Sequence, residues 1–123
     1  MTHRVILCLG SNKDAATNIS RAQHLLQELL PGLQFTETLT TAPVGIDSPD
    51  FLNCLGWGET LLSYGQLLKK TKSLERQVGD RRTLREKNEV VLDVDILLFD
   101  NVKYHPDDWD RDYVKALLAL SHR

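Results

Sequence analysis

The sequence predicts an α+β fold, in which an antiparallel sheet has helices packed against one face. Two segments repeat apolar residues at helical spacing, and other short apolar runs are separated by Pro and Gly clusters. In chain order these give strand, helix, strand, strand, helix, strand, and then a last helix. That order is typical of ferredoxin-like folds. We therefore expect a ferredoxin-like sheet with packed helices, βαββαβ plus a C-terminal helix, in one domain over residues 1–123.

The first half of the chain contains one predicted helix, which lies between the first two of three strands. In the first run both the odd and the even positions are apolar, as in a strand that is covered on both faces. Apolar residues then recur every three or four positions up to the breaker Pro31-Gly32, which is typical of a helix. The predicted elements are strand Arg4–Leu9, helix Ile19–Leu30, strand Leu33–Thr40, a proline-containing loop over residues 41–49, and strand Phe51–Thr60.

The second half begins with a helix whose ends are marked in the sequence. Ser63 and Gln66 form a predicted capping box at its start, and Gly79 follows its last turn. The predicted elements are a helix from Ser63 to Val78, a charged loop Asp80–Glu89, a strand Val90–Phe99, a turn at Asp100–Asn101, and a helix Asp110–Leu120.

Composition limits the classes of function. With 41% apolar residues the chain is expected to be globular, and its net charge of -2 gives no reason to expect a nucleic-acid partner or a membrane surface. No apolar run approaches the ~20 residues that a membrane span needs, and the N-terminus lacks the cleavage site of a secretion signal. Cys8 and Cys54 lie in apolar runs, so we expect two reduced core thiols in a cytoplasmic protein.

Two carboxylates interrupt the apolar run VVLDVDILLFD of residues 90–100. Alternate strand residues share a face, so Asp93 and Asp95 are expected to be neighbours with Cα atoms ~7 Å apart. At that distance two charges repel by ~2.4 kcal/mol at an effective dielectric of 20. Magnesium bound to both would remove the repulsion, although an exposed sheet edge with two solvated acids is the simpler explanation of the spacing alone. The acids' face also carries Val91, Leu97 and Phe99, and the predicted core face consists of Val90, Leu92, Val94, Ile96 and Leu98.

A basic segment precedes the acids in the sequence. Its cations are Arg81, Arg82, Arg85 and Lys87. A cationic loop beside a metal pair suits a polyphosphate ligand. For any one of these residues the alternative is a solvated loop position.

Three other features are candidates for ligand binding. Glu75 lies on the predicted inward side of its helix, where a carboxylate needs either a local ion pair or a ligand. Phe51 and Asn53 share a strand face beside the proline loop, where a ring and an amide can bind a flat heterocycle. A core Phe and a turn-capping Asn are the alternative. His105 and Arg111 flank the start of the last helix, and either could instead be structural or solvated.

Six segments spread over nearly the whole chain form a recognisable set. They are LGSN (9–12), TAPVG (41–45), DFLNC (50–54), Glu75 with Gly79, LDVDILLFD (92–100) and HPDDWDRDYV (105–114). None is specific alone, but their order and approximate spacing are. Together they resemble the 6-hydroxymethyl-7,8-dihydropterin pyrophosphokinases, enzymes of folate synthesis.

The resemblance implies a reaction, its partners and its residues. The hydroxymethyl oxygen of the dihydropterin attacks the β-phosphorus of ATP, pyrophosphate moves as a unit, and AMP leaves. Two Mg2+ ions, held by Asp93 and Asp95, bridge the triphosphate; Asp95 also orients or deprotonates the hydroxyl, and Arg82 is the third implied catalytic residue. The implied pterin pocket is Thr41, Pro43, Val44, Phe51, Asn53 and Tyr113, and the implied ATP contacts are Glu75, Arg82, Ile96, His105 and Arg111.

The basic segment departs from the family's pattern. Asp80 stands where the family usually has an arginine, and residues 87–90 stand where an aromatic followed by Gly-Pro-Arg is usual. Losing one cation aimed at a transferring group costs ~3 kcal/mol of transition-state stabilisation. A catalytically weak relative that binds pterin or nucleotide is therefore an alternative to the enzyme. An RNA-binding domain is a third hypothesis, disfavoured by the acidic charge and the lack of stacking aromatic motifs.

Overall fold

The computed structural model describes residues 1–43, 45 and 47–121. The strands are β1 His3–Ser11, β2 Gln34–Phe35, β3 Leu39–Thr41, β4 Phe51–Thr60, β5 Asp93–Phe99 and β6 Val102–Lys103. The helices are α1 Ala15–Leu29, α2 Tyr64–Val78, α3 Arg82–Arg85, α4 Pro106–Trp109 and α5 Asp112–Ser121. No helix in these ranges is long and apolar enough to cross a membrane.

The strands form one antiparallel sheet. Its order is β2, β4, β1, β5, β6, and β3 pairs with the beginning of β4 on the same side as β2. Helix α1 connects β1 with β2, and α2 connects β4 with β5. In each connection one antiparallel strand lies between the two that are joined. This is the split arrangement of a ferredoxin-like sheet, so the predicted fold class is confirmed.

Helices cover both faces of the sheet. Helices α1 and α2 pack on one face over the main core, where Leu7, Leu26 and Leu67 are fully buried. The opposite face carries a smaller core, brought together by α5 and consisting of Cys8, Leu55, Leu97, Val114 and Leu117. The expectation that the helices lie on one face is therefore wrong for α5, because the apolar residues on this second face also need a cover.

The predicted strand Leu33–Thr40 is divided into β2 and β3. Between them, the Thr36 N–H donates to Leu55 O at 2.9 Å, and the Thr36 hydroxyl accepts from Leu55 N at 3.0 Å. A side-chain oxygen thus takes the place of a backbone carbonyl in the ladder, so regular strand geometry is interrupted here. After the interruption the chain pairs with β4 a second time: β3 pairs with the beginning of β4, next to the proline loop.

Strand β5 begins at Asp93 instead of Val90 and does not alternate strictly along its length. Relative to β1 it contains one extra residue, Leu97, which is a β-bulge. Beyond the bulge the faces exchange, so Phe99 packs against the main core and Leu98 turns away from it. The predictions that Leu98 belongs to the core face and Phe99 to the acids' face are wrong for this reason.

Helix ends follow the sequence signals in α2 and depart from them in the last helix. The Ser63 hydroxyl accepts from Gln66 N at 3.2 Å, and Gln66 Oε1 accepts from Ser63 N at 2.9 Å, which confirms the capping box. The predicted last helix Asp110–Leu120 is α5, which begins two residues later at Asp112, and the short helix α4 before it was not predicted. The Trp109 Nε1–H donates to Leu97 O at 3.2 Å and so fastens α4 to β5.

Candidate active site

The two predicted carboxylates lie side by side on the sheet face opposite α1 and α2. Asp93 pairs with Gly10 of β1, and Asp95 pairs with Cys8. On the far side of β1, Asn53 of β4 continues the first of these rows. Because Gly10 has no side chain and Cys8 a small one, space is open beside the acids. A cavity of about 250 Å³ occupies it.

The cavity gathers most of the predicted site residues. Those that line it are Thr41, Phe51, Asn53, Asp93, Asp95, Arg111 and Tyr113. Its other lining residues, which were not among the predicted site residues, are Cys8, Gly10, Ala42 and Asp108. Two aromatic rings, an amide and three carboxylates thus face one space. Such a lining suits a flat polar ring that is placed beside a charged group.

The amide in this lining is held in place. Asn53 is 5% exposed, and its Nδ2 donates to Thr41 Oγ1 at 2.6 Å. A Cβ atom added at Gly10 would lie 2.9 Å from Asn53 Oδ1 and 3.8 Å from Phe51 Cδ2. The absence of a side chain at Gly10 is therefore what allows the amide to lie over β1.

We expect Gly10→Ala to destabilise the protein by ~1–3 kcal/mol, because the new methyl group overpacks the site against Asn53. Urea unfolding measures this loss. The matched control is Gly65→Ala, since Gly65 is exposed in α2 and an added Cβ meets nothing within 4 Å. That substitution should be neutral or stabilising by up to ~1 kcal/mol. Equal stability of Gly10→Ala and the parent would contradict the close approach.

Besides Val44, which is outside the described residues, the predicted site residues that do not line the cavity are Pro43, Glu75, Arg82, Ile96 and His105. Pro43 is half-buried beside the lining. Ile96 is 1% exposed in the main core, because alternate residues at the start of β5 face opposite sides. Arg82 is exposed at the start of α3 and makes none of the ion pairs found in the described part of the chain. The guanidinium that reaches the acids belongs to Arg85.

Two cations approach the acids. Arg85 Nη2 lies 3.5 Å from Asp93 Oδ1. Lys72 Nζ of α2 lies 3.8 Å from Asp95 Oδ1 and 4.0 Å from Asp93 Oδ1. Sequence reasoning missed Lys72, and the one signal that points to it is its i,i+3 spacing from the inward-facing Glu75.

Burial and mutual repulsion make the acid pair electrostatically unfavourable. Burial, followed by the charge of Asp93, raises the pKa of Asp95 to about 7, and Lys72 only partly opposes this. Burial also raises the pKa of Glu75, against the opposing effects of the Val94 N–H and Lys72. Burial lowers the pKa of Lys72, but the three carboxylates outweigh it and the net pKa is raised. The ligand-free site therefore holds excess negative charge, which a divalent cation would relieve.

Glu75 links α2 to the strand that carries the acids. It is 6% exposed, and its Oε2 accepts from Val94 N at 2.7 Å and from Lys72 Nζ at 3.0 Å. Val94 lies between the two aspartates, so this hydrogen bond fixes the backbone to which both are attached. Of the two alternatives for Glu75, the structure contains the local ion pair.

Asp80 is a buried structural acid. At 7% exposure, its Oδ1 accepts from Val91 N at 3.0 Å and from Leu92 N at 3.3 Å, and its Oδ2 accepts from Arg85 Nε at 2.7 Å. These bonds hold the segment before β5 out of the ladder, so Val91 turns into the main core with 6% exposure. The prediction that Val91 shares the acids' face is wrong for this reason.

The LGSN segment positions the chain just before the acids. The Val90 N–H donates to Asn12 Oδ1 at 2.7 Å, and Asn12 Nδ2 donates to Asn88 O at 2.8 Å. The Asn12 N–H also donates to Val90 O at 2.9 Å. Asn12 therefore fixes the end of the basic segment, while Gly10 two positions earlier leaves room for the cavity.

The last two predicted site residues also reach the acids' side of the sheet. His105 Nε2 lies 3.8 Å from Asp95 Oδ1, and His105 has a left-handed backbone with φ 54°. Arg111 lines the cavity and its Nε donates to Asp108 Oδ1 at 3.0 Å. The segment around α4 thus closes one side of the cavity with both charged and aromatic groups.

The donor set suits a hard divalent cation. The side chains of Asp93 and Asp95 are 35% and 21% exposed, which leaves room for the water ligands that Mg2+ usually keeps. The ligand atoms of His105 and Asp108 lie within 4.8 Å of that of Asp95. Oxygen donors with this degree of exposure fit the magnesium that the resemblance implies.

Comparison with known proteins agrees with the geometry. Residues 6–122 match the family model described as 7,8-dihydro-6-hydroxymethylpterin-pyrophosphokinase (HPPK). The chain is also 32% identical over 130 residues to a protein of Arabidopsis thaliana named folate synthesis bifunctional protein, mitochondrial. That alignment covers 95% of this chain and 23% of the relative, so the chain spans about a quarter of the relative's length.

Proposed function

The chain belongs to the 7,8-dihydro-6-hydroxymethylpterin-pyrophosphokinase family, and on that premise we propose that it transfers pyrophosphate from ATP to 6-hydroxymethyl-7,8-dihydropterin in folate synthesis. AMP is the second product. The single observation that carries the proposal is the cavity that places two aromatic rings and an amide directly beside the acid pair. We take residues 1–123 as one such domain, located in the cytoplasm, where the buried thiols Cys8 and Cys54 stay reduced.

The pterin is assigned to the aromatic part of the cavity. Phe51 and Tyr113 supply the rings on which a flat heterocycle stacks. Asn53 is buried and fixed by Thr41, so the other hydrogen-bonding atoms of its amide are already positioned to bind the polar edge of the ring. Polar groups that are held in place orient the substrate, and orientation supplies a large part of the rate enhancement in a transfer reaction.

Magnesium is assigned to Asp93 and Asp95, with two ions expected when ATP is bound. Bound there, the ions would supply positive charge that offsets the negative charge of the transferring group. The two carboxylates are positioned for this role by Glu75 through Val94 and by the pairing of β5 with β1.

The nucleotide is assigned to the side of the acids that the basic residues occupy. His105, Arg111 and Glu75 lie around the acid pair, and Arg85 and Lys72 approach it directly. Cations beside the transferring phosphates stabilise the charge that they carry in the transition state. Arg82 contributes only if α3 moves towards the nucleotide.

The transfer forms one bond and breaks one. The hydroxymethyl oxygen bonds to the β-phosphorus, the bond from that phosphorus to the oxygen that bridges it to the α-phosphorus breaks, and AMP leaves with that oxygen. The hydroxyl proton needs an acceptor at the cavity. Asp95 lines the cavity and is our candidate for orienting the hydroxyl and accepting this proton.

The test is an AMP assay with purified protein, ATP, Mg2+ and the hydroxymethyl dihydropterin. We expect AMP to form only when all three small molecules are present. Controls omit Mg2+ with EDTA or replace the pterin by one that lacks the hydroxymethyl group. Binding of pterin or nucleotide by calorimetry without any AMP would contradict the enzyme and select the weak binding module, which the family match does not favour.

A further inference from the structure

We propose that Lys72 is a built-in competitor of the divalent cation: its ammonium balances the acid pair in the ligand-free protein and leaves when metal binds. The inference rests on the proposed function, because that function makes Asp93 and Asp95 the metal ligands. It assigns a role to a residue outside the six segments that carry the resemblance.

The ammonium of Lys72 is surrounded by oxygen atoms. Its Nζ lies 3.0 Å from Glu75 Oε2 and 3.3 Å from Val94 O. It lies 3.8 Å from Asp95 Oδ1 and 4.0 Å from Asp93 Oδ1. Three carboxylates and one carbonyl thus converge on one positive charge. Oxygen donors of this kind are what a hard divalent cation requires, so the ammonium and the metal compete for the same donors.

The two cations at the acids differ in how firmly they are held. Arg85 is tied to Asp80 at 2.7 Å and to Leu92 O at 3.0 Å, which are both outside the acid pair. Lys72 is similarly exposed, at 40% against 37% for Arg85, but it carries its charge on a flexible four-carbon stem and its bonds outside the pair, at 3.0 and 3.3 Å, are longer. Arg85 is therefore a fixed counter-charge, whereas Lys72 can turn away towards solvent or towards an incoming phosphate.

This competition has a consequence for the order of events. A free divalent ion must displace the ammonium without offering it a new partner. A metal that arrives on a triphosphate brings anionic oxygens that can accept the released ammonium. The site should therefore bind free metal weakly and take up metal together with nucleotide.

The test is a titration of the nucleotide-free protein with Mn2+, with free Mn2+ followed by electron paramagnetic resonance. We expect Lys72→Gln to bind Mn2+ more tightly than the parent by about tenfold, because the competing charge is removed. Lys72→Arg keeps the charge and should stay within about twofold of the parent. The matched control is Lys70→Gln, since Lys70 lies beside α1 in a groove with Leu25 and Leu29. It should leave the affinity unchanged.

Equal or weaker Mn2+ binding by Lys72→Gln would overturn the proposal, and so would the absence of detectable binding in every variant. A lysine that merely holds Glu75 in place would give one of these two results. Circular dichroism verifies folding, and Lys72→Met, which keeps most of the stem, replaces the glutamine variant if that one unfolds. If the parent forms no AMP, the proposed function fails while the titration still decides whether Lys72 competes with metal.

Discussion

Asp95→Asn should abolish AMP formation and at the same time make the ligand-free protein more stable at neutral pH. The activity falls by at least about a hundredfold, because the variant loses the carboxylate assigned to the metal and to the substrate hydroxyl. The stability rises because Asp95 is largely buried beside Asp93 and its charged form is unfavourable there. A residue that lowers stability while it supports function is expected at an active site.

The pH dependence of this stability gain follows from the direction of the shift. Burial and Asp93 raise the pKa of Asp95 to about 7, whereas the unfolded chain titrates near ~4. Between these values the folded state retains a proton that the unfolded state has lost, so the parent loses stability as pH rises from ~4 to ~7. The asparagine variant lacks this loss, so its advantage should grow by roughly 3 kcal/mol between pH 5 and pH 8.

Urea unfolding at pH 5 and pH 8, together with the AMP assay, measures both parts. Asp107→Asn is the matched control, because Asp107 is exposed in α4 and does not line the cavity. It should change neither turnover nor the pH dependence of stability. Undiminished turnover of Asp95→Asn would refute the assigned role, and a variant less stable than the parent at pH 8 would refute the electrostatic account.

Asp80→Ala should reduce the free energy of unfolding by about 3 kcal/mol, the largest loss of stability that we expect from a single substitution here. The change removes the acceptor of the Val91 and Leu92 N–H groups and the partner of Arg85. Each buried donor left without a partner costs ~1–3 kcal/mol. AMP formation should also fall, because the segment that leads into Asp93 loses its tether to Gly79-Asp80.

Asp80→Asn separates the two parts of this effect. Asparagine keeps one oxygen for the backbone N–H groups but loses the charge opposite Arg85, so its loss of stability should be smaller than that of the alanine variant. Asp80→Arg, which places the family's usual residue here, should be at least as unstable as Asp80→Ala and should not raise turnover. If the free energy of unfolding of Asp80→Ala were within ~0.5 kcal/mol of the parent's, the contacts of Asp80 would not stabilise the fold.

Much of the fold was predictable because its signals are local. The alternation of polarity placed Asp93 and Asp95 on one face, and the capping box at Ser63 together with Gly79 set the ends of α2. The order of the elements then fixed the ferredoxin-like topology, since few arrangements of βαββαβ satisfy the rules for connections. The grouping of Phe51 and Asn53 also followed from period-two spacing on one strand.

The errors lie where a pairing partner overrides a local pattern. The bulge at Leu97 exchanges the faces of Leu98 and Phe99, and its position depends on the register with β1. Thr36 interrupts a run that reads as one strand, because its hydroxyl replaces a carbonyl in the ladder. Neither the bulge nor the replacement changes the composition of the segment, so no sequence pattern marks it.

The sequence by itself determined the fold class, the acid pair and the family, because these depend on residue types at short spacings and on the order of six segments. Only the tertiary structure decided which charges meet. Lys72 and Arg85 approach the acids. Asp80 is buried, and Arg82 is exposed to solvent. The physical reason is that an ion pair requires a distance of a few ångströms between groups far apart in the chain. That distance follows from how helices and strands pack rather than from the sequence of either one.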